Sequence, residues 1–214
     1  GPSAERSSAT FSKLKKIFCH HVEQEEGQSL SRFYQRLLPD FYSLAAGEPL
    51  DLQTTSTTQL LAFNTKTAHL PRFSLLGKFL DPATRSIAEA SYDETVAGTE
   101  MYTLDRFGIG ALPFDIYLPG HGRGTLRLGT KGGLVMTPTP VGFSFKHQPR
   151  NPLELARILE RKFGDGVVLI GKAVTLIGML AAEHVFVFHE GASGYMPRCQ
   201  RFHQLLASRC VSLS

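Results

Sequence analysis

Basic and small residues recur near the C-terminus in a pattern that suits an anion. Gly171-Lys172 places a residue without a side chain beside an ammonium group, at the start of an apolar helical pattern. The first N–H groups of a helix are unpaired donors, and the helix dipole favours negative charge beside them. In His189-Glu190-Gly191-Ala192-Ser193-Gly194, the backbone of Gly191 and Gly194 and the hydroxyl of Ser193 can all donate to a phosphate oxygen. A third segment, Pro119-Gly120-His121-Gly122-Arg123-Gly124, sets a guanidinium among glycines, and the fork of Arg123 matches phosphate or carboxylate in a bidentate way. His121, His189 and Glu190 are the groups suited to moving a proton at such a site. Each has a plainer reading: glycines that end strands, a hairpin turn at 119–124, a lysine that snorkels to water, a histidine that closes a strand.

None of these segments completes a known motif. Gly171-Lys172 lacks the rest of the G-x-x-x-x-G-K-S/T phosphate loop, and the 189–194 segment lacks G-x-G-x-x-G. Gly191-Ala192-Ser193-Gly194-Tyr195 falls between strand and helix patterns, as a hydrolase nucleophile elbow does. Tyr195 replaces the final glycine of G-x-S-x-G, however, and no acid lies between Ser193 and His203 to complete a triad in the usual order. Cys19 and His21, with Cys199 and His203 four apart on one helical face, make a four-ligand metal set on paper. The Cys19-His20-His21 run does not follow structural-zinc spacing, so no metal is assigned and no cofactor is identified.

The elements that must carry these loops follow from periodicity. Val167–Ile170 and Val185–Phe188 are continuous apolar runs of strand length, joined by an apolar helical face at Ala173, Val174, Leu176, Ile177, Leu180 and Ala181. A parallel strand, helix, strand unit is the reading, and it would bring 171–172 and 189–194 to one carboxyl edge, where open α/β sheets bind ligands. Upstream, Asn151-Pro152-Leu153-Glu154 opens a helix with a cap, a first-turn proline and an acid at the third position, and Gly164 closes it. Between Gly98 and Lys146, the runs Met101–Phe107, Phe114–Leu118, Thr125–Leu128, Leu134–Thr137 and Gly142–Lys146 read as short antiparallel strands.

Toward the N-terminus, Phe11, Leu14, Ile17, Phe18 and Val22 predict a helix to about Gln24. Ser29 or Ser31 caps a second helix that Pro39 kinks or stops. Gln59–Phe63 has the length of a strand, and Asp81-Pro82 opens a helix to about Ala90. The fold expected is therefore α+β, or α/β with a mixed sheet: N-terminal helices, antiparallel middle strands and a C-terminal parallel unit. Residues 1–10 read as a tag scar, Gly1-Pro2-Ser3, and a flexible arm; residues 11–214 read as a single domain, with excision from a longer protein left open.

Composition narrows the classes. Hydrophobic residues at 42% and charged residues at 20% of 214 are those of a folded globule rather than a disordered chain. A net charge of +4 falls short of a dense basic stripe, so nucleic acid through Lys13, Lys15 and Lys16 is an alternative but not the favoured one. Three scattered cysteines, no signal peptide pattern and no uninterrupted apolar run of membrane length suit a cytoplasmic setting with no membrane partner. The expected function is binding of a phosphorylated or otherwise anionic small molecule, a nucleotide or sugar phosphate, with any reaction left open. The alternative is a noncatalytic protein-interaction or structural domain working with other parts of a longer polypeptide.

Overall fold

A computed structural model describes residues 2–24, 27, 29–185 and 194–209, with residues 2–7 described in their backbone alone. The chain divides into two compact units, Gly1–Leu60 and Leu61–Ser214.

The first unit is helical: α1 spans Pro2–Gln24, α2 Leu30–Ala46 and α3 Thr57–Leu60. The helix read from Phe11 thus already begins at Pro2. Phe18 meets Phe33 edge-on at 5.4 Å, and His21 Nε2 lies 2.8 Å from Asp40 Oδ2, so both contacts tie α1 to α2. Ser29 caps α2 by accepting from Arg32 N–H, and Gly47, in the left-handed region at φ 80°, ends it. Pro39 does not stop the helix. A proline at 39 removes the N–H that would bond the Gln35 carbonyl, and the Thr54 hydroxyl donates to that carbonyl instead, at 2.9 Å. The strand read at Gln59–Phe63 is also corrected. Ser56-Thr57-Thr58-Gln59 is a capping box, with Gln59 N–H donating to Ser56 Oγ and Ser56 N–H to Gln59 Oε1, and it starts α3.

The second unit is α+β. After a 3-10 turn at Pro71–Phe73 come α4, Ser74–Leu80, and α5, Arg85–Val96. Four strands then follow in series, β1 Ala111–Leu118, β2 Gly122–Leu128, β3 Gly132–Met136 and β4 Val141–Ser144. Next come α6, Pro152–Phe163, β5, Val168–Gly171, α7, Val174–Ala181, and α8, Tyr195–Ser208. The strand read at Met101–Phe107 is a 3-10 turn, Leu104–Phe107. There the Thr103 hydroxyl bonds the Asp105 carboxylate and Asp93 Oδ1 accepts from Leu104 N–H, and such local side-chain bonds compete with a ladder.

The sheet order is β4-β3-β2-β1-β5 and every pairing is antiparallel. The parallel C-terminal unit is not shown: among the described residues β5 has antiparallel partners alone. β5 runs antiparallel to β1, and its outer side makes an antiparallel bridge through Val168 to Ala62. The second strand of that unit, Val185–Phe188, lies outside the described residues beyond Val185. The argument that one carboxyl edge collects both loops therefore has no parallel pair to rest on.

The period of two along β1 sorts its side chains. Leu112, Phe114, Ile116 and Leu118 are wholly buried; Phe114 meets Phe79 of α4 edge-on at 5.5 Å, and Phe79 stacks with Phe202 of α8 at 6.3 Å. The other face carries Asp115 and Tyr117, with Thr125 and Arg123 opposite them on β2. One face of the sheet is core, and the other is mixed, with Asp115, Arg123 and Thr125 beside Pro113, Tyr117 and Met136. Among the described residues no helix is long and apolar enough to cross a membrane.

Candidate functional site

Arg123 and Lys172, far apart in sequence, meet on one carboxylate. Arg123 donates from Nε and Nη2 to Asp115 Oδ2, at 2.9 and 2.8 Å. Lys172 Nζ donates to Asp115 Oδ1, which also accepts from the Thr125 hydroxyl at 3.2 Å. Antiparallel pairing explains the meeting, because Asp115 stands opposite Thr125 on β2 and Ile170 on β5, two residues from Arg123 on one side and from Lys172 on the other. The Lys172 ammonium also lies 4.4 Å from the Phe107 ring centroid. The side chains of Lys172 and Asp115 are 16% and 12% exposed, that of Arg123 52%. Both oxygens of Asp115 are fully engaged, and the two cations are already balanced in part by a charge of the protein's own.

The turn that delivers Lys172 is strained. Lys172 N–H and the Thr175 hydroxyl both donate to the Pro113 carbonyl, and Thr175 N–H closes the turn on the Lys172 carbonyl at 2.9 Å. Ala173 between them sits at φ 39°, ψ −105°, where residues with a Cβ are crowded. Gly171 has a packing role here. A Cβ on it would stand 2.3 Å from Leu176 N, so its missing side chain lets α7 lie against β5 rather than leaving room for a ligand.

The remaining residues read from sequence are dispersed. His121 sits in the β1–β2 hairpin connection between Gly120 and Gly122, its ring edge-on to Phe163 of α6 at 6.2 Å. Gly194 is the residue before α8. His189, Glu190, Gly191 and Ser193 lie outside the described residues. His21 is engaged by Asp40. Burial pushes the Cys199 thiol up to about 11 and holds His203 below the usual imidazole value. At neutral pH Cys199 is thus a thiol, the form that neither attacks nor ligates. Among the described residues no group of three or more His, Cys, Asp or Glu could hold a metal ion.

A second set of cations, not singled out from sequence, lines a cleft of about 820 Å³ between α6 and the chain that follows β4. Its floor is aromatic. Phe143 lies over Gly133, where any Cβ would stand 2.2 Å from the ring, and it meets Phe145 at 6.1 Å and Phe163 at 6.3 Å. Leu155, Ala156 and Leu159 turn α6 into the core. That leaves Arg157, Ile158 and Arg161 on the cleft wall, with Lys146 on the facing segment. Glu154 also lines the cleft, but its two oxygens accept from Arg150 N–H and Asn151 Nδ2 in the α6 capping box. Lys162 donates to the Gly142 carbonyl. Among the described residues, Lys146, Arg157 and Arg161 have neither ion pair nor hydrogen bond in their side chains. The spacing of Arg157 and Arg161, one helical turn apart, was the available signal; the approach of Lys146 was not legible before the fold.

The chain matches no family model, no curated protein and no solved structure among those compared.

Proposed function

We propose that the protein binds a phosphorylated or otherwise anionic small molecule in the cleft between α6 and the segment after β4. The observation that carries this reading is the trio Lys146, Arg157 and Arg161, which make no ion pair among the described residues and are set around Phe143, Phe145 and Ile158 in a cleft whose one lining carboxylate, Glu154, is held in the α6 cap. Cations on a surface usually stand over water. Here they rim a concavity whose volume falls within the ordinary range for small-molecule sites. A ligand that brings negative charge and an apolar body would gain charge-assisted hydrogen bonds from the arginines and remove the aromatic floor from water. Arg123 and Lys172 support the reading less, since an anion there must compete with Asp115.

Nothing in the cleft assigns a reaction. His147 is the titratable group beside the cations, and no carboxylate free of the helix cap faces it among the lining residues. The function is therefore written as binding. Calorimetric titration with AMP and glucose 6-phosphate, each beside its unphosphorylated parent, tests it. The phosphorylated member of at least one pair should bind, and more weakly as salt is raised. Absence of binding by both, or equal binding of parent and phosphate, would remove the proposal.

A further inference from the structure

The wall of the cleft that faces α6 includes a sheet edge. β4 ends the order β4-β3-β2-β1-β5, so one side of its backbone has no strand beside it among the described residues. The ladder to β3 fixes which groups lie on that side. Phe145 N–H donates to the Lys131 carbonyl, and along an antiparallel pair bonded and non-bonded residues alternate. Val141 and Phe143 therefore bond inward, and the N–H and C=O groups of Gly142 and Ser144 point away from β3. Consistent with this, the Lys162 ammonium reaches the Gly142 carbonyl from α6. The Gly142 N–H and both backbone groups of Ser144, a residue that lines the cleft, are left without a hydrogen bond among the described residues.

Building on the anion-binding reading of this cleft, we infer that its occupant is an extended acidic peptide, which adds a strand to β4 and turns carboxylates toward Arg157 and Arg161. The helix is laid out for it. α6 runs back along the edge, since Lys162 and Phe163 meet Gly142 and Phe143 at one end and Glu154 accepts from Arg150 N–H at the other. Every second side chain of an added strand points toward α6, at intervals of about 6–7 Å. Arg157 and Arg161 stand one helical turn apart, about 6 Å along the axis. The two spacings agree, so each arginine can take one carboxylate of an acid-x-acid sequence, and the acids' aliphatic stems can cover Ile158 between them. Main-chain bonds to a free edge give affinity to such a peptide and alternate side chains give it specificity. A compact phosphate ester has no use for the edge.

Calorimetry compares two acetylated and amidated peptides, Thr-Glu-Thr-Glu-Thr and its isomer Thr-Glu-Glu-Thr-Thr, beside AMP and glucose 6-phosphate. The alternating peptide is expected to bind at least about tenfold more tightly than the isomer, whose adjacent acids point to opposite faces of a strand and leave one arginine unmet. Methylation of its three central amide nitrogens should weaken it at least about tenfold, because the donors to β4 are lost while the charge is kept. Ser144→Pro removes an outward N–H that the β3 ladder does not use, where an edge strand accepts proline. It should weaken the alternating peptide about fivefold and leave binding of the phosphate compounds unchanged. Equal affinities of the two isomers, or undiminished binding of the methylated peptide to the unaltered protein, would overturn the inference. Binding of AMP or glucose 6-phosphate with no binding of either peptide would also overturn it, while the anion-binding reading would stand. Failure of all four to bind would remove both.

Discussion

Two groups of basic side chains in the Leu61–Ser214 unit differ in what stands beside them. Arg123 and Lys172 converge on Asp115, whose oxygens take three donated bonds from them and a fourth from Thr125. Lys146, Arg157 and Arg161 converge on a cleft whose one lining carboxylate, Glu154, caps α6 and makes no ion pair with them among the described residues. The first group has the arrangement of a structural clasp, closing β1, β2 and the turn after β5 upon one another. The second, on the function proposed above, would take its counter-charge from a ligand. Proximity of cations alone would not separate the two; the partner carboxylate does.

The difference can be broken or sharpened by substitution. Asp115→Ala should have the largest effect on stability. Lys172, largely covered, loses its carboxylate, while Arg123 can turn to water, and a loss of about 2–3 kcal/mol is expected in urea unfolding. The paired variant Arg157→Ala/Arg161→Ala removes two cations that hold nothing together, and should stay within about 0.5 kcal/mol of the parent. Similar losses in the two variants would erase the contrast. A smaller effect of the opposite sign is expected at the turn. Ala173→Gly relieves a backbone conformation that a Cβ disfavours, and the relief exceeds the entropy lost to a freer unfolded chain. A gain of about 1 kcal/mol should follow. A loss there would mean that Lys172 reaches Asp115 without strain.

How much of this was legible in the sequence depends on whether the cause is local. The capping box at Asn151 to Glu154 and the helix end at Gly164 are set by neighbours three or four residues apart, and both were readable. So were the strands from Phe114 to Phe143, through alternation and glycine turns. The capping box at Ser56 to Gln59 was equally local but was hidden by a threonine-rich run that also suits a strand. Pro39 misled because the donor that replaces its N–H, Thr54, is a long-range partner. Asp115 was a missed signal. It is the one charged residue in ALPFDIYL, on a strand whose next turn leads to Arg123, and cross-strand pairing of such charges is a standard stabiliser. The parallel unit is not shown among the described residues, and its signal was weak because continuous apolar strands occur wherever both faces are covered and burial does not fix strand direction. The cleft was beyond reach, since Lys146 and Arg161 belong to elements that only the fold brings face to face.

The most direct measurement sets the two cation groups against each other in one binding assay. AMP or glucose 6-phosphate, whichever binds, is titrated into the parent protein, Arg157→Ala/Arg161→Ala and Arg123→Ala. The account requires that the double variant lose at least about tenfold in affinity, the worth of charge-assisted hydrogen bonds, while Arg123→Ala binds like the parent. Loss of binding in Arg123→Ala with the double variant unaffected would contradict it and return the site to the Asp115 cluster.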